Sequence, residues 1–405
     1  VSAVQIRSAT TMTAPEVIVE EIEAVLSSAL SAIPARRAPL SEALGATLAE
    51  PLTAMMALPA ADTAAMDGFA VSGRGPRWRL LIGSCTAGRS SRITLAEGEA
   101  VRIATGALTP PGATAVLRAE YVRIEGSGGH PALALAAGAP YRNDIRPEGE
   151  SWYGGDELAA AGGRVSAAVI SVAQSADAPI GMVRGPLRAD LLITGDEIRA
   201  TGSLGPGQIR DALGAALPHY LGHCDIGVGS LTRLPDDRAL LRSWFDRDTG
   251  AELAITVGAT GRGAADRLRD VLGEIGAQIL IDGVRLRPGG SQLVARLPDG
   301  RTLLSLPGSP LAAITASLVT GRALVNVLTG RRDPVSSWGR VADAANPDGD
   351  RVRIVPVRQV EGGVWRAIGA VRTAHLAGLL HAHALAVLPP EAGRGTLVEL
   401  LPLPR

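Results

Sequence analysis

Aromatic side chains are scarce in this 405-residue chain, at 3% of positions, so its interior has to be built from Ala, Val, Leu and Ile rather than rings. Cysteine is scarcer still. Cys85 and Cys224 stand far apart and neither belongs to a metal-spaced pair, which argues against a disulfide framework or a structural zinc site and fits a reducing cytoplasm. Net charge is absent, with 40 basic and 40 acidic residues, so no global field favours nucleic acid or an acidic membrane surface, although local arginines could meet a small anion. No uninterrupted apolar run reaches the roughly 20 residues of a membrane helix. The N-terminus has no basic region followed by an apolar core and cleavage site. The expectation is a cytoplasmic protein with neither nucleic-acid nor membrane partners.

What is present is a large apolar fraction, 46% against 20% charged, in a chain long enough for about two to four domains. Residues 1–14 read as a flexible leader. Pro15 to Ile33 carries a helical stripe of Val17, Ile22, Val25, Leu26 and Leu30, ended by Pro34, and the stretch from Leu40 to Met56 is helical or irregular. Between Phe69 and Ala139 short apolar runs broken by Gly, Pro and Ser predict a β-rich insert, after which Val165 to Val172 is helical again. The first domain is thus expected to be discontinuous, 15–50 with 140–182, around an insert of 51–139. From 183 to 330 the pattern alternates. Strands are expected at Asp190–Thr194, Leu253–Val257, Gln278–Ile281 and Thr302–Leu306, with helices at Gly207–Leu221, Ala264–Ile275 and Pro310–Leu328. Such alternation predicts a parallel sheet covered by helices on both faces, a three-layer α/β domain. Residues 331–405, with strands near Arg351–Pro356 and Thr396–Leu400, predict a β-barrel-like C-terminal domain. The fold class is therefore multidomain α/β.

Three segments share one design of apolar strand, small-residue turn and helix: Thr194-Gly195-Asp196-Glu197, Thr256-Val257-Gly258-Ala259-Thr260-Gly261 and Ser305-Leu306-Pro307-Gly308-Ser309-Pro310. In an open parallel sheet ligands bind beyond the carboxyl ends of the strands, where all three turns belong. Ser309 can cap a helix whose first position is Pro310, leaving backbone N–H groups aimed at an anion. Asp67 sits between an apolar Met66 and a strand, and is either a ligand or an ordinary Asp-Gly turn. The segment Arg102 to Ala107 leaves the same two readings open. His219 and His223 are spaced to share a helix face, but no zincin glutamate accompanies them and Pro218 disturbs the helix end, so a structural or surface role is expected.

In register along the chain, Met66-Asp67-Gly68-Phe69-Ala70-Val71, Arg102-Ile103-Ala104-Thr105-Gly106-Ala107, Asp144-Ile145-Arg146 with Gly149-Glu150, Thr194 to Ile198, Gly207-Gln208-Ile209-Arg210-Asp211 and Leu306 to Pro310 resemble the molybdopterin molybdenumtransferase family, whose eukaryotic relative is the gephyrin E domain. The resemblance implies insertion of molybdate into adenylylated molybdopterin with Mg²⁺ and release of AMP. It implies a homodimer in which Asp67 and Thr105 reach the site from the partner chain. Asp67, Asp196 and Glu197 would surround the metal and reacting phosphate, with Glu252 as a further metal ligand. Thr105, Gly106, Thr194, Gly195, Gly258, Thr260, Gly261, Asp266, Arg287, Pro307, Gly308 and Ser309 would bind substrate. A molybdopterin adenylyltransferase or a client molybdoenzyme would be the protein partners.

The chain departs from that pattern in several places. The third loop carries Gly258-Ala259-Thr260-Gly261, closer to the Gly-Gly-Thr-Gly of the related adenylyltransferases, and Ala264 replaces an acid. The family's Lys-Pro-Gly-Lys-Pro appears as Arg287-Pro288-Gly289-Gly290-Ser291, Ser151 follows Gly149-Glu150 in place of Asp, and Ala374 stands where a Ser is expected. A second reading stays open beside the enzyme: a paralogue that binds molybdopterin or finished cofactor as carrier or scaffold.

Overall fold

The computed structural model describes residues 16–126, 131–258, 260, 267–332, 337–346, 350–369 and 376–404. At its centre a six-stranded sheet is formed by β1 (Leu187–Thr194), β2 (Ile226–Leu234), β3 (Leu253–Val257), β4 (Gln278–Asp282), β5 (Leu293–Arg296) and β6 (Thr302–Leu306), in the spatial order β2-β1-β3-β6-β5-β4. The first four in that order are parallel, β5 runs against them, and β4, antiparallel to β5, shares their direction. The sheet is therefore mixed, not purely parallel. The reason lies in β4, β5 and β6, which follow one another through short connections that only antiparallel neighbours can use.

Alternate residues of the central strands feed two apolar layers. Leu191, Ile193, Ile255, Val257, Leu304 and Leu306 pack on one face against α1 (Leu217–His223) and α4 (Pro310–Thr329). Leu192, Ala254 and Leu303 face α2 (Arg238–Phe245) and α3 (Arg267–Ile275) on the other, through Leu241, Trp244, Leu268 and Leu272. Burial on both sides explains why these strands read as continuous hydrophobic runs without a two-residue period. Each fully buried Leu or Ile contributes about 1.5–3 kcal/mol. Helix α4 is 20 residues long and, by length and mean composition alone, apolar enough to cross a membrane, although Arg322 and Asn326 interrupt it. Most of its side chains are buried in this protein's core.

The expected helix at Gly207–Leu221 is largely absent. Gly207 has φ +75°, Ile209–Arg210 form a short strand, and the Asp211 carboxylate captures the amides of Leu213 and Gly214, a local bond that competes with helix. The helix begins only at Leu217, with Pro218 in the first turn, where a missing N–H costs nothing. β2 and α2 were not expected. Exposure alternates along β2, an edge strand with one face open and polar residues on both. The N-terminal helix is also shorter than its stripe, a 3₁₀ turn at Val19–Glu21 leading into Ile22–Ala29.

Arg36–Pro39 pairs with Ile180–Arg184, which pairs in turn with Thr47–Leu48, so segments on either side of the insert share a sheet. The insert is a six-stranded sheet centred on Gly68–Val71, Glu99–Ile103 and Arg77–Cys85. The last sheet joins Val352–Gln359, Ala384–Leu388, Leu397–Pro402 and Ser337–Arg340, and takes Leu286–Arg287 of the central domain as its edge.

One ion cluster ties these parts together. Asp225, at φ +61°, receives the Arg164 guanidinium through two bonds of 2.7 and 2.6 Å and the Arg331 guanidinium at 2.6 Å. Arg331 also donates to Gly45 O and to Thr47 Oγ1. Removing one partner of a buried charge group leaves the others uncompensated. Asp225→Ala is therefore expected to lower stability by about 3–5 kcal/mol, read as a shift of the urea unfolding midpoint. An unchanged midpoint would remove the cluster from the account of domain cohesion.

Candidate functional site

Because β1, β3 and β6 are adjacent and parallel, their carboxyl ends deliver three turns to one crevice. The approach is close enough to exclude side chains. A Cβ on Gly258, which has φ +99°, would lie 2.5 Å from Thr194 O, and one on Gly308 would sit 3.7 Å from Gly258 Cα. Glycine at 258 is thus a steric requirement of the crevice. Gly195, at φ +150°, would press a Cβ to 2.7 Å from Glu197 Oε2, so the Glu197 side chain folds back over its own turn.

The acids of the first turn have different surroundings. Asp196 Oδ1 accepts from the Asp236 amide at 3.0 Å, and Asp236 Oδ1 accepts from the Thr194 hydroxyl at 2.6 Å. Part of the Asp196 carboxylate is therefore committed to stapling the turn onto the loop after β2. Thr194 is part of the same staple. Glu197 holds its backbone in place through a bond from Ile209 N to its carbonyl. Glu252 has a different place from the one expected. It stands at the amino end of β3, where its carboxylate accepts from Arg188 N at 2.8 Å, about 16 Å of strand away from the crevice at 3.3 Å per residue. It cannot share a metal with Glu197, because it precedes β3 and the crevice lies beyond that strand's carboxyl end.

Beside the crevice a cavity of about 420 Å³ is lined by Thr260, Arg287, Gly289, Gly290, Pro307 and Ser309, with Arg351 contributed by the C-terminal sheet. Ser309 precedes α4 as expected, but its side chain makes no capping bond. A bidentate pair, Arg269 with Asp282, forms another part of the wall. The chain contains no lysine, so Arg287 in place of Lys follows the usage of the whole chain, whereas Gly290 is a local loss. That loss is built into the backbone: a Cβ on Gly290 would lie 2.6 Å from Leu286 O and 2.7 Å from Val284 O. Gly261 and Asp266 lie outside the described residues, as does the altered segment 261–264 and position 374.

Asp67 and Thr105 form a separate corner in the insert. The Thr105 amide and hydroxyl both donate to Asp67 Oδ1, at 2.7 and 3.0 Å, and these bonds, the amide first, hold the carboxyl below the ordinary carboxylate range. Gly68 admits no side chain, since its Cβ would fall 1.9 Å from Leu117 O, and Gly106 takes φ +76° in the turn below Thr105. The bonds of Asp67 run to Thr105 and Ala119, both within the insert. Asp144 of the motif beside it is engaged by a bidentate Arg118 and lies below its usual range through those bonds. Among the described residues no group of three or more His, Cys, Asp or Glu side chains is placed to hold a metal ion. His219 and His223 lie on α1, with His223 held below its ordinary value by burial.

Sequence reasoning missed the loop after β2. Its signal was Pro235-Asp236-Asp237 ahead of an amphipathic run, an acid that caps α2 through Leu240 N and another that reaches the crevice.

Two outcomes follow. With its folded pKa lowered, the Asp67 interaction is present above the unfolded carboxyl value of about 3.9 and is lost as pH falls through the lower folded value. Carboxyl-carbon NMR should find that low midpoint, and Thr105→Val should raise it partway because the amide donor remains. Second, Gly290→Lys is expected to cost about 1–3 kcal/mol as the backbone shifts, measured by urea unfolding, without tightening the binding of molybdate in titration calorimetry.

Residues 17–176 match the family model described as "MoeA N-terminal region (domain I and II)" and residues 190–325 match "Probable molybdopterin binding domain". The chain is 28% identical over 407 residues to Molybdopterin molybdenumtransferase 2 of Mycobacterium tuberculosis, covering 94% of this chain and 98% of that relative. It is 29% identical over 386 residues to Molybdopterin molybdenumtransferase of Nostoc sp., covering 89% of this chain and 87% of the relative. In structure it is similar to the molybdopterin biosynthesis moeA protein from Pyrococcus horikoshii OT3, with TM-score 0.75, 19% identity, and 96% and 100% of the two chains covered. At that identity the structural likeness speaks for the fold alone.

Proposed function

Because this chain belongs to the MoeA-like molybdopterin molybdenumtransferase family, we propose that it acts in molybdenum cofactor biosynthesis, inserting molybdate into adenylylated molybdopterin and releasing AMP. The observation that carries this reading is the crevice of three strand ends opening beside the Arg287 cavity. Backbone at Gly195, Gly258 and Gly308 lets a phosphate or pterin approach closely. Arg287 supplies a planar cation for an oxyanion, and Pro307 to Ser309 lead into the positive end of α4.

The donor set suits Mg²⁺. This ion keeps several waters and takes one or two carboxylates together with substrate phosphates, so Glu197 with Asp67 of a partner copy meets its needs without a cluster inside one chain. When bound, Mg²⁺ supplies charge neutralisation at the phosphate oxygens of the anhydride being cleaved. In a homodimer, Asp67 enters already ionised by its two bonds from Thr105. Asp196 keeps the turn beneath Glu197 in place, and Thr260 and Arg287 position substrate.

A carrier or scaffold is favoured by one observation, the glycine at 290 whose surroundings admit no cationic side chain. Purified protein given adenylylated molybdopterin, molybdate and Mg²⁺ is expected to release AMP. Glu197→Gln should abolish that release and leave the assembly folded. Pterin binding without metal-dependent AMP release would establish the carrier reading instead.

A further inference from the structure

The Glu197 turn is held in place by the end of the edge strand β2. The excursion from Ile198 to Arg210 closes as a two-rung parallel ladder, Ile198 opposite Ile209 and Arg199 opposite Arg210. Ile209 N donates to Glu197 O at 2.9 Å and Asp211 N to Arg199 O at 3.0 Å. Asp211 is the point where this ladder meets the body of the domain. Its Oδ1 accepts from Leu213 N and Gly214 N, at 3.0 and 2.7 Å, and its Oδ2 from Arg233 Nε at 2.8 Å. The Asp211 side chain is 4% exposed. Burial alone would raise its carboxyl, but the two amides and the guanidinium outweigh it and hold it below the ordinary range. Packing over the pair leaves no spare room, since a Cβ on Gly214 would lie 2.3 Å from Asp211 Oδ2 and 2.4 Å from an Arg233 terminal nitrogen. Three residues beyond Arg233, Asp236 makes a second strut to Thr194 and Asp196. The turn is thus gripped before and after Glu197 by one strand end.

We infer that Arg233 is a positioning residue for Glu197, acting from an exposed position through its ion pair with the buried Asp211 carboxylate and the ladder that Asp211 closes. This rests on the reading of Glu197 as the metal- and phosphate-facing acid. Arg233 itself reaches neither the crevice turns nor the cavity lining. Its role is to keep the Glu197 backbone from sliding along β1, where a displacement of about 1 Å would cost roughly a hundredfold in rate. Lysine offers the charge without the rigid fork, so it should restore the position only in part.

The test uses the full chain with Arg233→Met, Arg233→Lys and Asp236→Ala. Amide hydrogen exchange is followed over residues 194–211, and AMP release over a range of substrate concentrations. Arg233→Met is expected to speed exchange across 197–211, to lower kcat at least tenfold with a smaller change in KM, and to leave exchange in the insert at its original rate. Arg233→Lys should recover part of the kcat with exchange over 197–211 between the two extremes, and it carries the test if Arg233→Met does not fold, since it keeps the charge and loses the fork. Asp236→Ala, which leaves the ion pair intact, should loosen 194–197 and leave exchange over 198–211 at its original rate. Unaltered exchange over 197–211 in Arg233→Met, or unaltered kcat despite faster exchange, would overturn the inference. An inactive parent protein would count against the proposed function, and the exchange measurement would still decide the positioning claim.

Discussion

The Asp225 cluster is the constraint on which the rest of the architecture depends. It joins the turn after α1 to Arg164 and Gly45 of the N-terminal half and to Arg331 just beyond α4. A buried carboxylate with two guanidinium partners offers little net stability over an apolar substitute, but once present it demands both partners in register. Gly45 shows how tight the arrangement is, since its Cβ would lie 2.6 Å from Asp225 Oδ1. The cluster sets where the helices of the central domain sit relative to the segments that lead into the insert. It thereby sets where the Asp67 corner is carried.

Within the central domain the binding geometry comes from a different cause. Three parallel strands buried on both faces, β1, β3 and β6, end together, and residue 258 must be small because a Cβ there would meet Thr194 O. The crevice is apolar below and lined by backbone above, a surface suited to an anion with a flat ring. Around it the charges are spent economically. Asp196 and Asp211 hold backbone amides, Asp211 also an arginine, and Asp236 the Thr194 hydroxyl, while the Glu197 side chain folds over the turn. Acids that look equivalent along the chain thus differ in what they hold.

Much of this was legible from residue order. Leu253–Val257 and Thr302–Leu306 occupy the strands their apolar runs predict, and α4 opens on Pro310 as the first-turn rule requires, without a side-chain cap from Ser309. The collinear motifs pointed to the family. Local bonds and edge exposure defeated the rest. Asp211 diverted a helical pattern by binding two amides, and β2 escaped notice because an edge strand carries polar residues that break the buried-strand signature.

The chain by itself marked the turns, since glycine at 195 and 258 permits the positive φ found there and proline at 310 fixes φ at the start of a helix. It also determined the absence of a lysine clamp. Only tertiary structure decided which turns meet, because strand order is settled by long-range pairing of faces that are alike in sequence. It brought Arg351 from the C-terminal sheet into the Arg287 cavity and bound Arg233 to Asp211 across 22 residues. Those outcomes depend on distances that no local propensity encodes.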